Sequence, residues 1–163
     1  MADRVSVCAD CDNPIDPTDD FCPHCGTLRR ADATCIWHPE REAAGACIVC
    51  CYPVCPDCGE RIGGKFLCGR HAGLEIYEGM VRAYGGCDQA QVEYAKACLE
   101  QAGLHPFLYV PKASPYVLGA PEYSLYRPGG DYDGHIQNEI KVMVPCQELE
   151  AAERVLVQLR LIE

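Results

Sequence analysis

The sequence has few basic residues and no long apolar run. Lys and Arg total 14 against 24 Asp and Glu, so the formal net charge is -10. An acidic chain does not attract phosphates over long range, which makes nucleic acid a disfavoured partner. No run approaches the roughly eighteen apolar residues of a membrane helix, so we expect no membrane-spanning segment.

Features of secreted proteins and of common enzymes are also missing. The N-terminus, MADRVSVCAD, lacks the basic residue and apolar run of a signal peptide. We therefore expect a cytoplasmic, reducing setting, in which cysteines are thiolate ligands and not disulfides. The sequence shows no nucleophile–base pair and no glycine-rich nucleotide loop, and we expect a protein that is not an enzyme.

Cysteine is abundant but becomes scarce in the second half of the chain. Eleven of the 14 cysteines fall between Cys8 and Cys68, and only Cys87, Cys98 and Cys146 come later. This asymmetry indicates at least two regions held together by different physics. We predict three modules, with boundaries 1–30, 31–73 and 74–163.

Two Cys-x-x-Cys pairs mark the first module. They are Cys8 with Cys11 and Cys22 with Cys25. Two such pairs predict a four-thiolate tetrahedral site, which zinc prefers. About thirty residues cannot bury a sizeable core, so metal binding would supply the folding energy. The segment CADCDNPIDPTDDFCPHCGT resembles the short zinc-ribbon domain family, and Gly26 suits the turn that follows the second pair.

Four further pairs, each with a two-residue gap, fill the second module. CIWH, CIVC, CPDC and CGRH supply eight ligands, the number that two tetrahedral sites need. The ligands are Cys35, His38, Cys47, Cys50, Cys55, Cys58, Cys68 and His71. Cys51 is left over because choosing it in place of Cys50 would break the gap, although adjacent cysteines can trade places.

The second module resembles the B-box zinc finger of many bacterial proteins. The similarity runs through CIWHPEREAAGACIVCCYPVCPDCGERIGGKFLCGRH. It implies interleaved sites, in which the first pair shares one zinc with the third and the second pair shares another with the fourth. Spacing alone does not distinguish this arrangement from sequential pairing. Three Zn²⁺ per chain would bring the net charge to about -14, since thiolates outnumber the metal charge.

Smaller features of the second module give further predictions. RIGGKFLC predicts a hairpin that turns at Gly63 and Gly64. Trp37, the only tryptophan, either packs against the metal-binding turn or anchors a partner. A small core is expected from Ala46, Ile48, Val54, Ile62 and Phe66.

The third module follows a different pattern, that of an α+β domain. MVRAYGG (80–86) predicts a strand, 88–103 a helix, HPFLYV a strand, 139–145 a strand and the C-terminal segment a helix. Asp88 is the expected helix N-cap and Gly103 the expected stop. The apolar helix stripes are Val92, Ala95, Leu99 and Ala102, then Leu149, Ala152, Leu156 and Leu159. The segments 81–109 and 140–159 resemble a family of prokaryotic signal-transducing proteins, related to PII-type, ferredoxin-like domains.

A long loop, 111–138, interrupts the third module. Connections of 28 residues are usually functional or disordered, and both alternatives stay open. Exposed tyrosines would suit a protein or small-ligand surface. The candidates are Tyr116, Tyr123, Tyr126 and Tyr132.

Three functions follow from these features. The first is a bacterial zinc-binding adaptor or regulatory protein that acts in signalling through protein–protein interaction, with a partner or a small signal at the third module. The second is a thiol-based redox or zinc-availability sensor that uses Cys51. The third is a nucleic-acid-binding zinc-ribbon protein, for which Arg29, Arg30, Arg61, Lys65 and Arg70 are the only basic candidates.

Overall fold

The computed structural model describes residues 6–110 and 139–163. They form two compact units. The first comprises the described residues up to Gly79 with Cys146–Glu150, and the second comprises those of Met80–Pro145 with Ala151–Glu163. Loop 111–138, with its four candidate tyrosines, lies outside the described residues. In the described part of the chain, no helix is both long and apolar enough to cross a membrane.

The first unit is built from very short antiparallel strand pairs. Two-residue strands are too short to hold a fold by themselves, so other forces must fix this unit. The pairs are β1 (Ser6–Val7) with β2 (Pro14–Ile15), β3 (Gly45–Ala46) with β4 (Pro53–Val54), and β5 (Gly59–Ile62) with β6 (Lys65–Cys68). Strand β7 (Ile76–Tyr77) ends the unit's N-terminal part.

The predicted hairpin at 61–68 is confirmed and is extended by two residues at its start. Strand β5 pairs with β6 from Gly59↔Cys68 to Ile62↔Lys65. Gly63 and Gly64 form the turn with φ of +55° and +80°, the left-handed region that glycine enters without strain. The sequence therefore fixes this hairpin locally.

The predicted small core is largely confirmed. Ala46, Ile48, Val54 and Phe66 are buried. Ile62 is the exception and is 39% exposed. It ends β5 beside the two-glycine turn, where its partner Lys65 is the first residue of β6, so that it lies at the hairpin tip and away from the core.

The second unit contains an antiparallel sheet and helices. The elements that follow Gly79 in chain order are β8 (Met80–Gly86), α1 (Gln89–Gln101), β9 (Phe107–Tyr109), β10 (Ile140–Pro145), a 3₁₀ turn (Cys146–Glu148) and α2 (Leu149–Gln158). The 3₁₀ turn and the first two residues of α2 belong to the first unit. Strand β10 lies between β8 and β9 and pairs antiparallel with both, with a register shift against β8 between Val142 and Met143. Helix α1 packs against β8 and β10.

Helix α1 begins and ends where the sequence predicts. The Asp88 carboxylate accepts hydrogen bonds from the backbone N–H groups of Ala90 and Gln91, which caps the first turn. Gly103, just beyond the helix, has φ +80°. Of the predicted apolar stripe, Val92, Ala95 and Leu99 are buried. The prediction for Ala102 is wrong: it is the C-cap residue and is exposed.

A buried carboxylate holds the start of β10. Glu139 is 2% exposed and pairs with Arg82 of β8, whose guanidinium reaches solvent. Gly85 makes room for the pair, because a Cβ there would lie 2.7 Å from the Glu139 carboxyl carbon and 2.8 Å from Arg82 Nε. Neither the burial of Glu139 nor its partner could be inferred from the sequence.

Candidate metal centres

The structure brings the twelve predicted ligands together in three groups of four. In each group the ligand atoms lie within 4.8 Å of one another. Site 1 consists of Cys8, Cys11, Cys22 and Cys25; site 2 of Cys35, His38, Cys55 and Cys58; site 3 of Cys47, Cys50, Cys68 and His71. The first pair of the second module thus meets the third pair, and the second pair meets the fourth.

The spacing of the ligand atoms fits a tetrahedral metal ion. Metal–sulfur bonds of about 2.3 Å at tetrahedral angles separate two sulfurs by about 3.8 Å. In site 1, Cys8 and Cys25 Sγ are 3.6 Å apart, as are Cys11 and Cys22 Sγ. In site 3, Cys50 and Cys68 Sγ are 3.9 Å apart. These groups could therefore hold an ion without rearrangement.

Both histidines turn Nδ1 toward the cysteines. His38 Nδ1 lies 3.8, 3.6 and 3.2 Å from the sulfurs of Cys35, Cys55 and Cys58. A tetrahedral sulfur–nitrogen separation is about 3.6 Å. His71 Nδ1 is 3.4 Å from Cys47 Sγ and 3.2 Å from Cys68 Sγ. Each histidine therefore has the place and the atom of a fourth ligand.

Three of the four Cys-x-x-Cys turns share one backbone design. The residue after the second cysteine donates its N–H to the carbonyl of the first cysteine and has positive φ. These residues are Asp12 (φ 56°), Gly26 (φ 80°) and Cys51 (φ 62°), with N–O distances of 3.0, 2.8 and 2.8 Å. The sequence predicts this role for Gly26 and likewise for Gly59 after Cys58, although asparagine and aspartate also tolerate this region. The prediction is confirmed for Gly26 and wrong for Gly59, whose φ is not positive.

The choice between Cys50 and Cys51 is explained by this design. Cys50 Sγ lies in site 3, whereas Cys51 occupies the left-handed position that closes the turn. Its thiol lies outside the ligand group, 4.0 Å from Val49 O. Cys51 is thus a turn residue with a solvent-exposed side chain.

Gly59 follows its Cys-x-x-Cys pair for a different reason. Its N–H lies 3.2 Å from Cys55 O, but its φ is not positive. A Cβ there would lie 2.7 Å from both Leu67 O and Val54 Cγ2. The glycine is therefore required by close packing of β5 against β4 and β6, and not by backbone conformation.

Local hydrogen bonds lower the pKa of one thiol in site 1 and of one in site 3. Burial opposes ionisation of Cys25, but the side chain and backbone of Thr27 and the thiols of Cys11 and Cys22 lower its pKa to about 6. In site 3 the hydrogen bond with Cys50 lowers the pKa of Cys47 to about 4. With pKa values below 7, these two thiols are mostly ionised at neutral pH. The thiolate is the form that binds metal, so each of the two sites has one sulfur in that form.

Hydrogen bonds also lower the pKa of one thiol in site 2. Burial raises the pKa of Cys35, but backbone hydrogen bonds at Cys55, Trp37 and His38 outweigh it and bring the pKa to about 6. The pKa of His38 is raised, chiefly by hydrogen bonds with Cys55 and Cys35. A positive metal ion would replace the proton on this imidazole.

The remaining cysteines do not join the described ligand groups. Cys87 is exposed, Cys98 is half-buried and Cys146 is buried. Burial raises the pKa of Cys146 to about 11, which keeps it a neutral thiol. Trp37, inside the Cys35–His38 turn, is 45% exposed and so is not a core residue.

No protein-family model, curated protein sequence or solved structure matches this chain. The class of protein is therefore defined by the fold and the sites alone. The chain combines small cysteine-rich modules, in which three clusters could bind metal, with a C-terminal antiparallel sheet and helix domain.

Proposed function

We propose that the chain is a non-enzymatic zinc-binding adaptor, in which a zinc ribbon and a B-box-type double finger present a surface to a protein partner. Zinc is supported by the donor sets, one of four thiolates and two of three thiolates with one imidazole. Protein groups fill all four positions in each cluster, which is typical of structural zinc and leaves no open position for a substrate.

An exposed apolar surface beside site 2 is the observation that supports a protein partner most directly. Ile36, Trp37 and Tyr52 are each close to half-exposed. The Ile36 N–H donates to Pro53 O at 2.9 Å, which places the metal-binding turn beside the Tyr52–Pro53 segment. Exposed aromatic residues on a rigid turn are typical of interaction anchors.

A groove continues this surface. It has a volume of about 340 Å³, and both Pro53 and Cys51 line it. Its apolar walls also include Phe21, Leu28 and Ala46, while Asp20 and Asp32 stand at its polar side with Arg30 between them. The two carboxylates outnumber the single guanidinium, and the whole chain is acidic. The occupant that fits is a peptide segment of a partner protein with an apolar side chain next to Lys or Arg.

Selection of random peptides on the full-length, zinc-loaded chain tests this function. We expect enriched sequences that pair apolar with basic residues and lose binding to Trp37→Ala. Tyr77→Ala, which removes a more exposed aromatic residue of the first unit, is the control and should keep binding. Enrichment of acidic peptides, enrichment that ignores Trp37, or no enrichment would each overturn the proposed surface.

The nucleic-acid alternative is weakened by how the arginines are used. Arg30 pairs with Asp20 and Asp32, Arg61 with Asp10, and Arg70 with Glu150. Arg29 donates to Asp16 O at 2.8 Å. These four arginines are therefore engaged by acidic neighbours and a backbone carbonyl, which leaves Lys65 as the one remaining basic candidate of the sequence and weakens a nucleic-acid surface.

The sensor alternative receives little support at Cys51. Although the residue is exposed, neighbouring atoms partly desolvate its sulfur, and this desolvation, followed by the charges of Cys47 and Glu150, raises the pKa of the thiol. A higher pKa lowers the thiolate fraction that oxidants attack. A cytoplasmic setting, a role in bacterial signalling and a small-molecule signal at the PII-like, ferredoxin-like domain stay predictions. The partner-binding tyrosines of loop 111–138 also stay predictions.

A further inference from the structure

Two main-chain hydrogen bonds join site 1 to site 3. The Phe66 N–H donates to Cys25 O at 2.9 Å, and the Ala46 N–H donates to Gly26 O at 2.8 Å. Cys25 is a ligand of site 1. Phe66 lies two residues before the site 3 ligand Cys68, and Ala46 directly precedes the site 3 ligand Cys47.

Close packing accompanies these hydrogen bonds. A Cβ on Gly26 would lie 2.6 Å from Phe66 Cβ and would also collide with Ala46 O. All three residues are buried. The second turn of site 1 therefore lies directly on β3 and β6, the two strands that lead into site 3.

Site 2 is connected differently. Its main chain contacts that of site 3, because the Gly69 N–H donates to Cys58 O at 2.9 Å. Toward site 1, the exposed side chain of Arg61 donates to Thr27 Oγ1 at 3.1 Å and, at the longer distance of 3.5 Å, to Cys25 O. It also lies 3.7 Å from the Asp10 carboxylate. Exposed ion pairs contribute little to stability, so this link is the weaker one.

We propose that metal binding at sites 1 and 3 is coupled, and that site 2 is coupled to site 1 much less. A metal ion at site 3 fixes Cys47 and Cys68, which holds Ala46 and Phe66 where they bind the Cys25–Gly26 backbone. Coupling between two binding sites is reciprocal, so an ion at site 1 strengthens binding at site 3 equally. This inference needs metal at the three sites but does not depend on the proposed peptide partner.

Matched removal of ligands tests the coupling in the full-length chain. Cys50→Ser with His71→Ala empties site 3, and Cys58→Ser with His38→Ala empties site 2. Each double variant removes one half-buried cysteine and the histidine. With ¹¹³Cd bound, site 1 is the only four-thiolate cluster among the three and has its own resonance, so a chelator titration measures its affinity directly.

The two double variants should differ sharply. Loss of two main-chain hydrogen bonds, roughly fivefold each, predicts that emptying site 3 weakens cadmium binding at site 1 about 25-fold. Emptying site 2 should change it less than about threefold. Equal shifts in the two variants, or an unchanged site 1 after site 3 is emptied, would overturn the proposal.

Gly26→Ala supplies a second measurement with all twelve ligands in place. Because it pushes the Cys25 turn away from Ala46 and Phe66, it should weaken cadmium binding at sites 1 and 3 together and leave site 2 unchanged. Gly73→Ala is the control, since nothing lies within 4 Å of a Cβ there. A change confined to site 1 would show only local strain and would contradict the coupling.

Discussion

Substitution of four glycines of the first unit by alanine distinguishes two causes of destabilisation, a left-handed backbone conformation and a steric clash. Gly73 has neither problem: its φ is not positive and a Cβ would meet nothing within 4 Å. Gly64 has φ +80° in open space, whereas Gly59 has ordinary φ but a Cβ would lie 2.7 Å from Leu67 O. Gly26 combines φ +80° with the clash against Ala46 and Phe66.

The expected free energies of unfolding follow from this comparison. Alanine should be neutral or slightly stabilising at Gly73 because it restricts the unfolded chain. It should cost about 1 kcal/mol at Gly64 from the left-handed conformation. A cost of about 2 kcal/mol is expected at Gly59 from overpacking. At Gly26 the two effects combine to about 3 kcal/mol.

The assay uses the single tryptophan. Trp37 lies in the first unit, so its fluorescence during urea unfolding reports on that unit. The free zinc concentration must be the same for every variant, since metal binding shifts apparent stability. If Gly26→Ala is no more destabilising than Gly64→Ala, the close contact of Gly26 with Ala46 and Phe66 does not exist in solution.

Three other predictions concern separate parts of the chain. Cys50→Ser should lower the zinc content measured by native mass spectrometry from three ions to two, whereas Cys51→Ser should keep three; the reverse result would assign the ligand to Cys51. Asp88→Ala should destabilise α1 by about 1 kcal/mol through loss of the N-cap, seen as faster hydrogen exchange in its first turns, and unchanged exchange would refute the cap. Arg82→Met should destabilise the second unit by about 3 kcal/mol because Glu139 stays buried without its partner. Arg154→Met, at an exposed position of α2, is the control. If the backbone amides of β8 and β10 exchange hydrogen at the same rate in both variants, the ion pair has no role in stability.

The candidate metal ligands were predictable because ligand pairing is local. A two-residue gap brings both side chains of a pair to one ion, so the six pairs follow from spacing alone. Which pairs share an ion depends on contacts between distant segments. For the second module that grouping came from a family resemblance, and the structure gives the same grouping.

The secondary structure of the third module was predictable for a similar reason. Asp88 and Gly103 mark the ends of α1, and apolar periodicity identifies its buried face. Ile62 of the second module shows where such reasoning fails. Its side chain is apolar, but its position at a hairpin tip, and not its hydrophobicity, determines that it is exposed. The contact of Cys25 and Gly26 with Phe66 and Ala46 joins segments that are distant in the sequence. It could not be predicted from local sequence, in which Gly26 is the only indication.

The contact between Gly26 and β3 also occupies backbone groups that another chain could otherwise use. Short strands with free backbone N–H groups are templates on which another chain can add a strand. Here the carbonyls of Cys25 and Gly26 occupy the N–H groups of Phe66 and Ala46, and the first module covers the apolar side chain beside them. Loss of metal from the first module would uncover this edge, so we expect metal removal to promote aggregation through β3 and β6.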